Sequence, residues 1–563
     1  MTSELPLSKT PRLTVAMIVR DAEDTLLRTL DSIQFVADEI LIVDTGSSDR
    51  TQNIAAAAGA KVLSLLWGDD FSTPRNLAMA HATGDWILWL DAGETIEAET
   101  AHAIKLFSQE YADTQRAYLL MVEIPPNGQA ISSEQVGRVR LVPNFKGLRF
   151  EGRVREKLNK SLVANNMQVE SLPWKIHRST REHEPLVKGR KARRDLRLAE
   201  IEMKQNGWSA PLLNVMGDAY SRLGDTFAAI DYFKRAMQYS QPGSIDHLES
   251  NYGLLAAMDA DSQFRAEQLS TCLTALETYP FDAQLLCAMG SYLQLQGRID
   301  LATRAYQTAA ENGQIEAQTW HLSDMQEVAT VCWCLCLQLL NQDEIAHQVL
   351  VRAVSQDGSA VRVRRQLIEL FVKHDKRKEA LEQVNLLPPE TPNRETLRTA
   401  IRGACLAAKQ NWAAALGYLQ SAHTGGCQDP LCLRWLAVTL LALDDYTGAE
   451  PILREWKTIE PKNPEIVKYL ELVAAKNPII TTPANFNPIP IPHISSVSIP
   501  RSNTLLSTAP LSSPSRGPAT PLNETNEDGR RLRFDESQPG ELTSPNLPGV
   551  TSPQTARSPF RRT

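Results

Sequence analysis

The sequence predicts an α/β domain with a mainly parallel sheet, then an all-α repeat region, then a disordered tail. Three observations predict it. From about residue 12 to 180, short apolar runs alternate with helical stretches, the pattern of strand–helix units that lay down a parallel sheet. From about 185 to 476, one Ala- and Leu-rich helix follows another with a recurring spacing. From 477 to 563 the pattern collapses, and that stretch holds 15 of the 33 prolines among many Ser and Thr. Such a composition cannot bury enough apolar surface to offset chain entropy. The expected domains are 1–183, 184–476 and 477–563.

The first strand is LTVAMIV, Leu13–Val19, apolar throughout as a strand covered on both faces must be. Asp24-Thr25 starts a helix that places Leu26, Leu27, Leu30 and Ile33 on one side. A second strand, EILIV at 39–43, ends at Asp44. The Ala-rich stretch 51–58 is helical, and 61–65 gives a third strand. Ser72-Thr73-Pro74 starts a helix, with a hydroxyl as cap and proline in the first turn. WILWL at 86–90 is the fourth strand, ending at Asp91.

In the helical region, Leu213, Gly217, Tyr220, Gly224, Ala229, Phe233 and Ala236 fall at the large and small positions of a 34-residue tetratricopeptide (TPR) unit. Leu286, Gly290, Leu293, Gly297, Ala302, Tyr306 and Ala309 repeat the spacing, and weaker copies lie near Trp412 and Trp435. Gly217 and Ala229 let paired helices approach, while Tyr220 and Phe233 fill the gap between repeats. Such units stack into a solenoid whose concave face suits a protein or peptide partner.

Composition narrows the classes. The chain has 563 residues, 42% hydrophobic, with a net charge of −7, which disfavours a basic nucleic-acid binder. No apolar run reaches the ~18 residues of a membrane span, and MTSELPLSKTPR lacks the apolar core of a secretory signal. The eight cysteines all lie beyond residue 271 in apolar helical patterns, with no CxxC pair. They read as small core residues in a reducing cytoplasm, Cys332, Cys334 and Cys336 included.

The acids carry the functional signal. Asp44 and Asp91 each end an apolar strand, at the sheet edge where ligands bind in open α/β folds. Asp44-Thr-Gly-Ser47-Ser-Asp49 offers carboxylates and hydroxyls to a sugar or base edge. Asp91-Ala-Gly-Glu94 offers two further carboxylates, hard ligands suited to Mg²⁺ or Mn²⁺, which would neutralise a diphosphate.

The segments MIVRDAEDTLLRTLDS, EILIVDTGSSDRT, WGDDFSTPRN and GDWILWLDAGE, in that order, resemble a family 2 glycosyltransferase of the GT-A fold. The resemblance runs from about Leu13 to His177, and TPR repeats follow such a domain in one subgroup. It implies a nucleotide-diphosphate-sugar donor, with Asp44 near the uracil or ribose and Ser47 and Asp49 beside it. It further implies Arg75 near the phosphates and an acidic metal motif at Asp91–Glu94, with His177 as a late metal ligand. Gly93 stands where family members usually carry a second Asp, and Arg155-Glu156 stands where a His-Glu pair is common. Arg138-Val-Arg140-Leu and the stretch 150–156 resemble the acceptor-side region. Glu94 and Glu156 are the candidate general bases for an inverting transfer, with a protein, a peptide or a cell-surface glycan precursor as acceptor. The rival reading is a non-catalytic TPR scaffold carrying a degenerate transferase domain. A nucleotidyltransferase would want a glycine-rich phosphate loop after the first strand, which Arg20-Asp-Ala-Glu-Asp is not.

Three other features are assigned bland roles. The run from Lys188 to Arg197, with six basic residues, reads as a solvated helix face. Trp67, Trp86 and Trp89 could stack on a sugar, but Trp86 and Trp89 lie on opposite faces of one strand, so at least one packs in the core. Ser544, Ser552 and Ser558, each before Pro, resemble phosphorylation sites.

Overall fold

In the computed structural model the described residues are 10–126, 132–388, 394–460 and 463–475. The expected tail and its Ser-Pro sites lie outside them. Strands β1 (Leu13–Val19), β2 (Glu39–Asp44), β3 (Lys61–Ser64) and β4 (Trp86–Trp89) pair in parallel in the order β3-β2-β1-β4. Beyond β4 the sheet turns mixed. β6 (Glu134–Pro143) runs antiparallel to both β4 and β5 (Arg116–Ile124), and β7 (Gln168–His177) lies parallel to β5 at the edge.

Strand alternation builds two cores. Leu13, Val15 and Met17 share one with Leu26, Leu30 and Ile33 of α1 (Leu26–Ile33) and Ile104 of α4 (Ala98–Glu110). Ala16, Ile87 and Trp89 share the other with Ala78 and Met79 of α3 (Ser72–His81). Trp86 and Trp89 fall in different cores, both buried, so neither offers a sugar platform. Trp67 lies edge-on to Phe71, with its indole N–H on Asp69. Asp70, rather than a residue-72 hydroxyl acceptor, caps α3: its Oδ1 accepts from the amides of Ser72 (2.7 Å) and Thr73 (3.3 Å) and from the Ser72 hydroxyl. A carboxylate two residues earlier outcompetes a neutral oxygen for the same donors.

After α6 (Pro185–Asn206) the chain folds as helical hairpins, beginning with α7 (Ala210–Leu223) and α8 (Thr226–Tyr239). A Cβ on Gly217 would meet the buried Phe233 ring at 2.6 Å, and one on Gly290 the Tyr306 ring at 2.7 Å. The small residue is thus what lets the two helices of a hairpin close. The hairpin turn takes a left-handed residue at Gly224, Gly297, Asn341, Asp375, Gln410 and Asp444. The last four recur every 34 or 35 residues, which keeps the repeat visible where the sequence copies weaken. All eight cysteines are free and buried, as core packing requires.

Two joints tie the helices to the sheet. Along α6 the basic run is a solvated face that also makes a seam: Arg190, Arg193, Arg194 and Arg197 are exposed, yet Arg194 lies 4.9 Å over the Phe71 ring, Arg197 pairs with Asp69, and Lys191 pairs with Glu182 at 2.6 Å. Sequence alone could not place acids and a ring from the other domain opposite those charges. The second joint is the segment between α12 (Ile299–Asn312) and α13 (Met325–Leu339), which crosses back to the sheet. Its two-residue strand β8 (His321–Leu322) pairs antiparallel with β6, so the sheet draws a strand from the helical region. Gly137 N donates to Ala317 O (2.6 Å), and Arg138 Nη1 to Gln318 O (2.9 Å).

Candidate functional site

The C-terminal ends of β1, β2 and β4 form one edge. Asp44 ends β2 opposite Val19, and Leu90 N donates to Ala16 O just before Asp91. With β1 between them, the two acids leave strands about 10 Å apart.

Asp44 is buried and half satisfied. Its Oδ1 accepts from Gly46 N (3.0 Å), Ser47 N (3.0 Å) and Gln52 Nε2 (2.9 Å), whereas Oδ2 is buried with no partner. Burial opposes its ionisation, but hydrogen bonds from Ser47, Gln52 and Gly46 outweigh it and hold the carboxyl below its ordinary range. Ser47 and Asp49 knit the loops together instead. Ser47 Oγ accepts from Asp21 N (2.9 Å), and Asp49 accepts from the amides of Glu23 (3.0 Å) and Thr51 (2.9 Å).

Around Asp91 the structure gathers three acids and three arginines. Asp91 Oδ1 accepts from Arg75 Nη2 (3.1 Å) and Oδ2 from Arg178 Nη2 (3.1 Å), with Arg140 Nη2 at 3.5 Å. Glu94 Oε1 accepts from Arg140 Nη2 (2.6 Å) and Arg178 Nε (2.8 Å), and Oε2 from Asp91 N (2.9 Å). Arg75 Nε donates to Glu156 Oε1, and its guanidinium lies 5.1 Å over Trp89 and 5.4 Å over Phe150. Burial opposes the ionisation of Asp91, but Arg140, Arg75 and Arg178 outweigh it and push the carboxyl far down. Burial likewise opposes the charge on Arg75, and Glu156 and Asp91 hold it protonated.

These contacts separate the two candidate bases. Glu94 is 2% exposed and three donors engage its two oxygens, so it holds the 91–94 turn and its arginines in place and is shielded from an acceptor. Glu156 gives one oxygen to Arg75, and among the described residues no donor reaches its Oε2.

The residues expected to hold a divalent cation do not converge. His177 faces Glu123 at 3.3 Å and Glu97 at 3.5 Å. Its hydrogen bond to Glu123 raises the imidazole's pKa and lowers that of Glu123 to about 2, which favours the protonated ring over a metal ligand. Among the described residues no three His, Cys, Asp or Glu side chains group as a metal cluster. Each oxygen of Asp91 already accepts from a guanidinium, so a divalent ion there would have to displace a paired arginine. Gly93 sits at φ +95, with its N–H on Thr29 Oγ1 (2.9 Å), a left-handed backbone in which an Asp would be strained. The donor set as folded does not fit Mg²⁺ or Mn²⁺.

Arg178 is the member that sequence reasoning left out of the site, and Arg140 was placed only in the acceptor-side stretch. Arg140 was visible as a charge inside an apolar strand, GRVRLV, and Arg178 as the residue after His177.

Residues 14–112 match the family described as Glycosyl transferase family 2. A TPR repeat-containing protein of Synechococcus elongatus is 34% identical over 254 residues, 43% of this chain and 60% of that protein. The glycosyltransferase SunS of Bacillus subtilis is 25% identical over 239 residues, 41% of this chain and 54% of that one. An uncharacterized glycosyltransferase of Rickettsia typhi is 28% identical over 118 residues, 21% of this chain and 40% of that one. The chain thus spans 40% to 60% of the length of these relatives. Among the described residues no helix is long and apolar enough to cross a membrane. The match covers the parallel half of the N-terminal α/β unit, so residues 14–112 are similar to family 2 glycosyltransferases, and helical hairpins of TPR-like spacing follow that unit.

Proposed function

We propose that the chain transfers a sugar from a nucleotide-diphosphate donor to an acceptor in one inverting displacement. The observation that carries this reading is Asp44, whose Oδ2 is buried without a partner at the strand edge where a family 2 domain binds its donor. An orphaned, charged acceptor is costly to bury, and an N–H or O–H of the donor's base or ribose would satisfy it. Arg75 and Glu156 stand across the same edge. Arg75, braced by Trp89 and Phe150, faces the phosphates, and Glu156 Oε2 takes the acceptor's proton as the new bond forms. Ser47 and Asp49 act on the donor indirectly, by holding the loop that carries Asp44. The eight unpaired cysteines support a reducing, cytoplasmic setting.

The acceptor is a peptide or protein lying where the helices meet the sheet. Arg155–Asp218 and Lys157–Asp246 tie the two residues that flank Glu156 in sequence to solenoid acids. The competing reading, a TPR scaffold with an inert first domain, draws on the loss of a second Asp at Gly93 and on the paired acids around Asp91. A screen of nucleoside-diphosphate sugars with product analysis decides between them. The proposal expects one donor to be consumed, with loss of that activity in Asp44→Asn and Glu156→Gln. A chain that binds no nucleotide sugar is the scaffold.

A further inference from the structure

The disagreement between the acids and a metal ion has a positive side. A guanidinium carries five N–H donors in a fork that matches phosphate oxygens. Arg178 spends Nε on Glu94 and Nη2 on Asp91, and Arg75 spends Nε on Glu156 and Nη2 on Asp91. Among the described residues, Nη1 of each has no acceptor. Arg178 is the outermost of the three arginines: its side chain is 25% exposed, against 11% for Arg75 and 6% for Arg140. Arg140 stands behind Arg178, bound to the same Glu94 oxygen, and Arg138 adds to the positive field around both.

We infer that the positive charge facing the leaving diphosphate belongs to the protein itself, carried by Arg178 with Arg75 beside it and Arg140 behind, so that donor binding needs no divalent cation. The inference rests on the glycosyl-transfer reading and deepens it. In the step itself, the bond between the sugar's C1 and the β-phosphate oxygen breaks and its electron pair leaves with that oxygen. The acceptor's heteroatom bonds to C1, and its proton passes to Glu156. The arginine forks then hold the diphosphate as its charge grows, work otherwise done by a bound ion. Gly93 fits the same scheme. Its left-handed backbone closes a tight turn in which Asp91 N binds Glu94 Oε2 and Glu94 N binds Asp91 O (2.9 Å), so the turn presents arginines instead of a second carboxylate.

The test uses the full chain stripped of metal, with inorganic pyrophosphate and UDP as probes in calorimetry, once in EDTA and once in Mn²⁺. Paramagnetic resonance of Mn²⁺ alone reports whether the ion binds. The expected result is pyrophosphate and UDP affinities within about threefold in the two buffers. Loss of one charge-assisted contact predicts roughly tenfold weaker binding in Arg178→Gln. Arg178→Lys, which keeps the charge but not the fork, should fall between and fold normally. Affinity that appears only with Mn²⁺, or no pyrophosphate binding in either buffer, overturns the inference. Sugar transfer that requires Mn²⁺ does so too, while leaving the glycosyltransferase reading intact. Metal-free UDP and pyrophosphate binding through Arg178, with no sugar transferred from any donor, overturns that reading instead.

Discussion

Replacing Glu94 by Gln separates an anchor from a base. Glu94 is 2% exposed and accepts from Arg140 at 2.6 Å, Arg178 at 2.8 Å and Asp91 N at 2.9 Å. A glutamine keeps the shape, removes the charge and sets its NH2 against a donor either way, the guanidiniums on one side or Asp91 N on the other. Breaking a buried ion pair from one side costs about 3–5 kcal/mol, because the partner charge stays buried. For a cooperative unit the size of the N-terminal domain, that lowers the melting temperature by roughly 6–20 °C. Tryptophan fluorescence reads the transition, since Trp86 and Trp89 lie in the two cores of the sheet. At a temperature where the variant is folded, sugar transfer should fall no more than about tenfold, whereas loss of a general base costs about 10²–10⁴. Glu156→Gln should show the opposite pattern, with a modest melting shift and a large rate loss. A Glu94→Gln protein that melts with wild type but loses transfer a hundredfold or more would refute the assignment.

Three further outcomes follow from the same geometry. Asp44→Asn replaces a carboxylate whose Oδ2 has no partner, so UDP affinity should fall about tenfold in calorimetry, and an unchanged value would remove Asp44 from the donor site. Phe233→Ala empties the space against Gly217 and should cost about 3–5 kcal/mol in denaturant unfolding, with little effect if the hairpin is not packed there. Glu134 is raised to about 7, because burial outweighs Lys188 and Arg222. The folded chain therefore holds a proton between about pH 4.5 and 7 that the unfolded chain has lost, so this group's contribution falls as pH rises through that window. Glu134→Gln should gain up to about 3 kcal/mol on wild type at pH 8 relative to pH 5, and a difference that does not change with pH would contradict the shift.

The parallel half of the domain was legible because β1, β2 and β4 are buried apolar runs, and β2 and β4 run out at an acid. That single pattern located β1, β2 and β4, as well as Asp44 and Asp91. The solenoid was legible through Gly217 and Gly290, small residues whose absent side chains make room for Phe233 and Tyr306. What could not be read were pairings between distant segments. Arg178 meets Asp91 across 87 residues and Arg140 meets Glu94 across 46, and neither residue by itself names its partner. A metal site was expected because carboxylates were counted without the guanidiniums that neutralise them. The contacts that the basic run on α6 makes were hidden for the same reason, since Asp69 and Phe71 lie far off in sequence. β8 is two residues long, below any periodic signal.

That short strand also decides how the helical region is to be probed. Removing 211–476 would take β8 away from β6, along with the carbonyls of Ala317 and Gln318 that hold Gly137 and Arg138. Two residues on, the same strand delivers Arg140 to Glu94. It would also remove Arg362, which binds Asp324 at 2.9 Å and the hydroxyl of Ser132, just before β6, at 2.6 Å. A truncated chain would therefore lose donor chemistry and acceptor recognition together, whatever the solenoid does. Point changes on solenoid residues that pair with the neighbours of Glu156, such as Asp246→Asn opposite Lys157, leave the strand in place. They should lower action on a large acceptor while donor hydrolysis persists, and equal loss of both would place the acceptor elsewhere.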